Sequence, residues 1–312
     1  MANDVKPQRL IVAINPGSAG GGRKAIGPIV VQGLRGSGHD VTELQEDSYQ
    51  ELLVNARAAI ATEPDGFVVV GGDGMVNLGA NMVAGTTVPL GIVSSGTGND
   101  TARSLNLPFD DTAASVAALG EALQHEPRVI DAAIMRFADP VTGAPTERWF
   151  ACSLSAGFDA SVNERANRMK HPRGPSRYII ALVIELARLK PYHYTLTLDG
   201  EQLEVDANMV SIGNGVSLGG GMMITPDAKM DDGLLDVMIV RPLSRINFLR
   251  IFPSVFKGTH VTRKEVSIIR ARTVRIEGQG VVITADGESV GPAPVDVELV
   301  PGALRVLAPP TP

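Results

Sequence analysis

A short loop of glycines with one carboxylate, Gly71-Gly72-Asp73-Gly74, constrains this chain more than any other feature. The loop follows the apolar residues 67–70 and precedes a helix-like segment that begins at Met75. A strand that passes through glycines into a helix presents bare backbone N–H groups and a positive helix end, which together bind phosphate. Asp73 in such a loop would repel a phosphate unless a divalent cation lay between them. The loop therefore predicts metal–nucleotide binding and phosphoryl transfer.

Two more glycine-rich loops follow strand-like runs in the first half of the chain. The first begins with Asn15 and Pro16, and the second is Gly96-Thr97-Gly98-Asn99-Asp100. Helical segments separate the strands, which predicts a parallel sheet with helices on both faces. In such a sheet the loops that follow the strands lie at one edge. Three loops at one edge favour a phosphate site, although each alone also suits a tight turn, and Asn99 or Asp100 a helix N-cap.

The pattern changes after about residue 129. Short runs of alternating polarity, one of them at residues 148–154, are separated by turn residues, which predicts an antiparallel β-sandwich. Two helical segments interrupt it near residues 177–189 and 245–256. We therefore expect an α/β nucleotide-binding domain over residues 1–130 and a mainly antiparallel β-sandwich domain over residues 131–299, with residues 300–308 packing back on the first domain.

Composition indicates a globular protein of two domains, since the 312 residues are 44% hydrophobic and 20% charged. The single cysteine, Cys152, excludes an internal disulfide and suits a reducing compartment. The polar N-terminus predicts no secretory signal, and no apolar run approaches the roughly 18 residues of a membrane span. Any membrane contact is therefore expected to be peripheral.

Charge is distributed unevenly along this acidic chain, whose formal net charge is −6. Residues 161–190 carry a net +5 and residues 241–272 a net +7, with apolar residues interleaved in the second segment. This combination predicts an anionic membrane surface as a partner and no nucleic acid. A solvated helix face is the alternative for the charges. Phe248, Phe252 and Phe256, spaced by four, form one helical stripe that either enters the membrane interface or packs in a core.

Several motifs together resemble the soluble bacterial lipid kinases of the diacylglycerol kinase and sphingosine kinase family. They occur in the family's order from Asn15 to Glu288, over about 270 residues. They are Asn15-Pro16, Gly71-Gly72-Asp73-Gly74, the segment 96–103, the segment 226–237 and Asp286-Gly287-Glu288.

The resemblance implies that the first domain binds ATP and that Mg²⁺ is the metal cofactor. Asp73 and Asp100 would organise the catalytic Mg²⁺, and Glu288 would be the base that accepts the proton of the acceptor hydroxyl. The nucleotide would lie against Asn15, Pro16, Gly17, Ser18, Gly71, Gly72, Asp73, Gly74, Met75, Thr97 and Asn99.

The resemblance also implies a second, structural Mg²⁺ in the second domain. Its ligands would be the Asp232 carboxylate and the backbone carbonyls of Lys229 and Leu234, which offer hard oxygens. Asp131 matches a family aspartate that links the two halves through water and metal. Asp232-Gly233 and Asp286-Gly287 are also ordinary hairpin turns, and Asp131 could end a strand.

Two residues depart from the family pattern. Met75 stands where the family usually has threonine, and Ser94 where it commonly has proline. We expect an adjusted nucleotide affinity from these changes.

The resulting interpretation is an ATP- and Mg²⁺-dependent lipid kinase that phosphorylates a diacylglycerol-like or other long-chain lipid. We expect the protein to be cytoplasmic and associated peripherally with the inner face of the membrane. The alternatives are a kinase for a soluble acceptor, similar to NAD kinase, and a catalytically silent nucleotide- or lipid-binding regulator. A homodimer is left open.

Overall fold

The structure is a computed structural model that describes residues 6–16, 26–169, 171–172 and 176–309. The chain divides into two compact units. The first comprises Met1–Asp131 and Pro301–Pro312, and the second Ala132–Val300. No helix in the described ranges is long and apolar enough to span a membrane.

The first unit alternates strands and helices. Its strands are β1 (Arg9–Ile14), β2 (Asp40–Leu44), β3 (Gly66–Gly71) and β4 (Leu90–Ser94), and its helices are α1 (Ile26–Gly36), α2 (Tyr49–Ile60), α3 (Asp73–Val83), α4 (Asp100–Ser104) and α5 (Thr112–Ala122). The strands are parallel in the order β2–β1–β3–β4. Val306 and Leu307, near the C-terminus, pair with β4 in the same direction.

Helices cover both faces of this sheet. Val30 and Leu34 of α1 and Leu119 of α5 pack on one face, against alternate residues of β1 and β3. On the other face α3 approaches closely at Gly79, where a Cβ atom would lie 3.1 Å from Val69. The strands β3 and β4 are buried throughout, as expected for central parallel strands. The predicted α/β fold with helices on both faces is confirmed.

The second unit is rich in short strands. Its strands are β5 (Arg128–Ala138), which begins in the first unit, β6 (Pro145–Phe150), β7 (Ser153–Gly157), β8 (Tyr192–Leu198), β9 (Glu201–Ala207), β10 (Met209–Gly213), β11 (Leu235–Val240), β12 (Val266–Ala271), β13 (Thr273–Glu277), β14 (Val282–Ala285), β15 (Glu288–Pro292) and β16 (Val295–Leu307), which ends in the first unit. Its helices are α6 (Phe158–Arg168), α7 (Ser176–Ala187) and α8 (Arg245–Val255).

These strands form the predicted antiparallel sandwich. In one sheet the N-terminal part of β16, then β13, β8 and β9 are neighbours, and β6 pairs with β5. The other sheet has the order β12–β11–β10–β7–β14–β15. Leu154, Val210 and Val237 of the second sheet meet Tyr194 and Ile276 of the first in a common core.

A second apolar cluster lies on the outer face of that second sheet. Met209 and Met238 on the sheet pack with Phe158 of α6, Leu186 of α7 and Phe248 of α8. The three helices therefore cover this face of the sandwich, because every second side chain of β10 and β11 points toward them.

The structure corrects two details of the sequence interpretation. The run at residues 148–154 is two strands, β6 and β7, separated at Ala151 and Cys152. Their backbone N–H groups leave the strand ladder because the carboxylate of Asp286 accepts hydrogen bonds from both. Helix α6 was not predicted, because its many polar residues leave only a narrow apolar stripe, with Phe158, Ala160 and Ala166 buried.

Candidate active-site residues

Two glycine loops of the first unit contact each other at the C-terminal ends of β3 and β4. The Ser95 N–H donates to the Gly71 carbonyl at 2.8 Å. A Cβ atom on Gly96 would lie 2.5 Å from the Cα atom of Gly72, so this approach of two backbones requires glycine. Asn15 joins them through its N–H, which donates to the Val70 carbonyl at 3.1 Å. The three predicted loops are therefore brought together.

The carboxylates of Asp73 and Asp100 flank one point on these loops. A Cβ atom on Gly98 would lie 2.3 Å from Asp73 Oδ2 and 3.2 Å from Asp100 Oδ2. Asp73 also accepts hydrogen bonds from the backbone N–H groups of Asn99, at 3.0 Å, and Asp100, at 2.9 Å. Asp73 therefore fixes the start of α4 while its oxygens remain beside those of Asp100. Two carboxylates with this spacing offer the hard oxygen donors that suit Mg²⁺.

Asn99 shapes the loop more than it caps the helix. It stands at the N-cap position in a left-handed conformation, with φ 56°, and its side chain makes no capping hydrogen bond. Instead, its Oδ1 accepts from the Gly96 N–H at 3.0 Å, and its Nδ2 donates to the carbonyls of Gly96 and Phe109. Thr97 lies on the loop between Gly96 and Asn99 and is exposed. These bonds hold a short loop that has little regular backbone pairing of its own.

Arg103 supports the same loop from α4. Its Nε donates to the Gly98 carbonyl at 3.1 Å, and its guanidinium lies 3.9 Å from the centroid of the Phe109 ring. Arg103 therefore holds the backbone at the glycine between the two carboxylates.

Met75, one of the two departures from the family pattern, is buried and packs on Gly71. A Cβ atom on Gly71 would lie 2.4 Å from the Cγ atom of Met75. Ser94, the other departure, is buried at the end of β4, and its Oγ has no hydrogen-bond partner among the described residues. Gly74 lies beside Asp73 in the first turn of α3, and Pro16 follows Asn15. Gly17 and Ser18 lie outside the described residues.

In the second unit, Glu288 begins β15 directly after a two-residue turn. Asp286 and Gly287 have φ values of 45° and 82°, as the central residues of a type I′ hairpin turn require, and Ala285 pairs with Glu288 across it. Burial by the surrounding protein raises the pKa of the Glu288 carboxyl, nearby Arg148 lowers it and the Asp286 carboxylate raises it. A raised pKa makes a carboxylate a stronger proton acceptor.

Asp286 is more than a turn residue, because its buried carboxylate binds a distant part of the chain. Its oxygens accept hydrogen bonds from three successive backbone N–H groups, those of Ala151 at 2.8 Å, Cys152 at 3.0 Å and Ser153 at 2.9 Å. An ordinary exposed hairpin has no such anchor. This role was missed in the sequence, where only the adjacency of Asp286 to Glu288 could have indicated it.

The predicted distal metal site contains an arginine. Asp232 Oδ1 accepts from the Leu234 N–H at 3.2 Å, and its Oδ2 pairs with the Arg270 guanidinium. The buried carboxylate of Asp236, which sequence reasoning missed, has Oδ1 3.9 Å from Arg270 Nε and an Oδ2 without a hydrogen-bond partner among the described residues. Burial raises the Asp236 pKa, and Arg270 lowers it.

Oxygen atoms of the kind that bind a hard cation are present in this segment. An unpaired buried carboxylate oxygen on Asp236 and the oxygens of Asp232 are suitable donors, with Lys229 in the same segment. Within the described ranges, no group of three or more His, Cys, Asp or Glu side chains is arranged to hold a metal. Backbone carbonyls would have to complete the ligand set.

Asp131 has a local partner in the first unit. Its buried Oδ1 accepts from the Gly302 N–H at 2.8 Å, which ties the end of that unit's first segment to its C-terminal segment. This contact gives Asp131 a structural role whether or not it also participates in a metal network.

Asp159 is a further carboxylate that sequence reasoning missed. It lies in the first turn of α6, where the Ser211 hydroxyl donates to its Oδ2 at 3.4 Å, and its buried Oδ1 has no hydrogen-bond partner in the described part of the chain. Burial raises the pKa of the Asp159 carboxyl to about 6, although the hydroxyls of Ser155 and Ser211 act in the opposite direction.

Comparison with protein families gives a match over each part of the chain. Residues 9–134 match the diacylglycerol kinase catalytic domain. Residues 152–308 match the YegS C-terminal NAD kinase beta sandwich-like domain. The two matched segments together account for most of the chain.

Individual proteins agree with these matches. The chain is 40% identical over 277 residues to a diacylglycerol kinase of Mycobacterium tuberculosis. The aligned region covers 88% of this chain and 87% of that protein. A crystal structure of a putative diacylglycerol kinase from Bacillus anthracis shares the fold with a TM-score of 0.73 at 22% identity, covering 97% of each chain. Yeast NADH kinase is more distant, with a TM-score of 0.56 at 11% identity, covering 96% of this chain and 82% of that one.

Proposed function

This chain belongs to the diacylglycerol kinase family of lipid kinases, and on that premise we propose that it transfers the γ-phosphate of ATP, with Mg²⁺, to a hydroxyl of a diacylglycerol-like or other long-chain lipid. The observation that carries the proposal is the pair of carboxylates, Asp73 and Asp100, that flank Gly98 on the glycine loops. Asp73 and Asp100 would hold Mg²⁺ there, and the cation would supply positive charge against the negative charge that develops on the transferred phosphoryl group.

The loops of the first unit would hold the nucleotide. Backbone N–H groups near Gly71 and Gly72 would face the phosphates, with Asn15, Pro16 and Thr97 beside them. Met75 fills the space against Gly71 with an apolar side chain, so no hydroxyl is available at this position to bind phosphate. We expect this difference to change the affinity for ATP more than the rate of transfer.

Glu288 would act as the general base. It is a carboxylate with a raised pKa on a turn that Asp286 anchors to the sheet. The group would accept the proton of the acceptor hydroxyl as that oxygen bonds to the γ-phosphorus and the bond from the γ-phosphorus to the β,γ-bridging oxygen breaks, so that ADP leaves. Activity should therefore rise with pH through the Glu288 pKa, because only the ionised form accepts a proton.

A structural Mg²⁺ in the second unit is also part of the proposal. Asp232, with the carbonyls of Lys229 and Leu234, would bind it, and the unpaired oxygen of Asp236 supports a cation in this region. Arg270 already pairs with Asp232, so the metal would share or displace that partner. Asp131 would contribute to a metal-linked network only in addition to its bond with Gly302.

The lipid acceptor requires contact with a membrane, and we propose a different apolar surface from the phenylalanine stripe. Phe248 is only 8% exposed, with its ring 4.7 Å from that of Phe158, which supports the core alternative for this residue, whereas Phe256 at the other end of the stripe is 51% exposed. Helices α7 and α8 instead expose the apolar side chains of Tyr178, Ile179, Ile180, Val183, Ile246 and Leu249, and we call these six residues the apolar helix surface.

Basic residues close in sequence give this surface the charge that an anionic bilayer attracts. Arg188 and Lys190 follow α7, and Arg245, Arg250 and Lys257 lie in or next to α8, all of them exposed. Each basic residue near such a membrane contributes about 1 kcal/mol to binding. We therefore propose peripheral association with the inner face of the cytoplasmic membrane.

A turnover assay of Glu288→Gln tests the catalytic proposal. ATP and Mg²⁺ are supplied with diacylglycerol or a sphingoid base in neutral mixed micelles, and with NAD in solution. The wild type should phosphorylate a lipid and leave NAD unchanged, and the variant should bind ATP normally but lose about 10²- to 10⁴-fold in kcat. Phosphorylation of NAD alone would replace the lipid kinase with a soluble-acceptor kinase, and an absence of ATP turnover with every acceptor would favour a silent regulator.

Vesicle co-sedimentation tests the membrane proposal. Ile179→Ser with Val183→Ser should weaken binding to anionic vesicles and raise the apparent KM for vesicle lipid, while the KM for ATP stays unchanged. Val54→Ser is the matched control, because Val54 is 66% exposed on α2 of the other unit. Reversal of Arg245, Arg250 and Lys257 to glutamate should have a similar effect at low salt. Equal loss in the control, or none in the variants, would show that these residues are only solvated.

A further inference from the structure

Helix α6 carries a row of polar side chains that ends on the turn before Glu288. Asn163 Nδ2 donates to the Gly287 carbonyl at 2.8 Å. Asn167, one helical turn later, donates through Nδ2 to Asn163 Oδ1 at 3.3 Å and to the same Gly287 carbonyl at 3.4 Å. The Tyr178 hydroxyl of α7 donates in turn to Asn167 Oδ1 at 3.3 Å. Three side chains at increasing distance therefore support one peptide group.

The turn geometry leaves the Gly287 carbonyl available to a donor from outside the hairpin. In a two-residue hairpin, the ladder bonds join the residues that flank the turn, here Ala285 and Glu288, and the carbonyl of the second turn residue points away from them. Asn163 supplies that donor from a residue 124 positions away in the chain.

The turn is held on its other side as well. The Asp286 carboxylate binds the N–H groups of residues 151–153, which fixes the first turn residue. That anchor determines where the hairpin lies. The hairpin pairing of Ala285 with Glu288 holds the N–H side of the peptide that joins Gly287 to Glu288. The bond from Asn163 to the Gly287 carbonyl holds the other side of the same peptide and, with it, the direction in which the Glu288 side chain leaves the backbone.

We propose that Asn163 is a positioning residue for Glu288, which it orients through the Gly287 carbonyl, with Asn167 and Tyr178 as successively weaker supports. The inference rests on the proposed role of Glu288 as the general base. A base must lie within hydrogen-bond reach of the proton that it accepts, about 2.6–3.2 Å between heavy atoms. Displacement of a reacting group by about 1 Å lowers rates by up to about 100-fold, so this one hydrogen bond can control turnover without touching the substrate.

The first measurement separates positioning from substrate binding. Asn163→Ala should lower kcat about 10- to 100-fold and leave the KM values for ATP and for micellar diacylglycerol within about twofold of wild type. Asn167→Ala should lower kcat less, and Tyr178→Phe least. Asn247→Ala, at an exposed position of α8, is the matched control and should be unchanged. A raised KM for diacylglycerol with unchanged kcat would overturn the proposal in favour of direct substrate contact.

The second measurement is a double-mutant cycle with Glu288→Gln, which isolates action through the base. If Asn163 acts only by orienting Glu288, Asn163→Ala should cost no more than about twofold in the Glu288→Gln background. Equal losses in both backgrounds would overturn the proposal. Full activity of Glu288→Gln alone would instead refute the proposed base, so the two failures are distinguishable.

A conservative variant and a spectroscopic signal guard against misfolding. Asn163→Asp keeps the size of the side chain, but its ionised form cannot donate to the Gly287 carbonyl, and its negative charge should move the acid limb of the kcat–pH profile to higher pH. Trp149, the single tryptophan, lies in β6 of the same unit and reports its folding by fluorescence. A variant with native fluorescence and an unshifted acid limb would contradict an effect on Glu288.

Discussion

Replacement of Asp159 by asparagine should make the second unit more stable at neutral pH and leave it nearly unchanged in acid. The structure places this carboxyl at the start of α6 in surroundings that raise its pKa from 3.8 to about 6. A shift of this size corresponds to about 3 kcal/mol, at 1.36 kcal/mol for each pH unit. Because the folded-state pKa is the higher one, the stability associated with the protonated carboxyl is complete below about pH 4 and is lost as the pH rises through 6.

The expected result follows from this sign. Asparagine is neutral at every pH, so it removes the penalty that the buried Asp159 carboxylate imposes above pH 6. The gain in free energy of unfolding should therefore be close to zero at about pH 4 and approach an upper limit of about 3 kcal/mol above pH 7. Urea unfolding followed by Trp149 fluorescence measures this difference at each pH, because the tryptophan lies in the same unit.

A carboxylate with the opposite shift provides the control. Exposed Asp139 accepts hydrogen bonds from the backbone and hydroxyl of Thr142 and from the backbone of Val141, which lower its pKa. Asp139→Asn should reduce stability at neutral pH, and the reduction should disappear as the pH falls through the folded-state pKa. A stability difference for Asp159→Asn that is independent of pH, or that grows toward acid, would refute the reasoning about its burial.

Three further predictions concern the proposed catalytic groups. Gly98→Ala should raise the KM for ATP at least about tenfold, because the added methyl group would lie between the carboxylates of Asp73 and Asp100. Gly120→Ala is the control, since the space around Gly120 is open, and its KM for ATP should be unchanged. Measurement of the rate against ATP concentration tests both. Arg148→Gln should move the acid limb of the kcat–pH profile to higher pH, because a positive charge that lowers the pKa of the proposed base is lost. The Tm of the wild type should rise with Mg²⁺, by a stabilisation of about 2.7 kcal/mol at a hundredfold excess of Mg²⁺ over its Kd. Asp232→Ala should abolish this rise, and the control Asp231→Ala should retain it. A wild-type Tm that changes with neither Mg²⁺ nor chelator would contradict the metal site.

The parts of this protein that depend on local pattern were predictable from the sequence. Strand and helix alternate in the first half with glycine loops after the strands, and parallel strands bring such loops to one edge whatever the rest of the chain does. The approach of Gly72 to Gly96 and the convergence of Asp73 and Asp100 are consequences of that rule. The change to short alternating strands after residue 129 indicated the sandwich for the same reason.

The sequence pattern of α8 did not show which of its apolar residues pack in the core and which are exposed. The spacing of Phe248, Phe252 and Phe256 predicts one helical stripe, and the rings do lie about 6 Å apart along α8. Periodicity identifies the stripe but not its partner. Here the stripe begins in the core with Phe248 and ends at the exposed Phe256, and Ile246 and Leu249 beside it are also exposed. A helix between a core and solvent can turn either face inward when both carry apolar residues.

The supports of the site could not be predicted, because they join residues far apart in sequence. Asp286 binds N–H groups 133 to 135 positions earlier, and Asn163 reaches Gly287 across 124 positions. Neither aspartate nor asparagine carries a signal for such a partner, since both also occur in ordinary turns and helix surfaces. Residue types and their positions after strands were enough to indicate which residues could perform the chemistry. The packing of α6 and of the β6–β7 break against the β14–β15 hairpin decided how the turn that bears Glu288 is held, because only the folded chain brings those groups within hydrogen-bond distance.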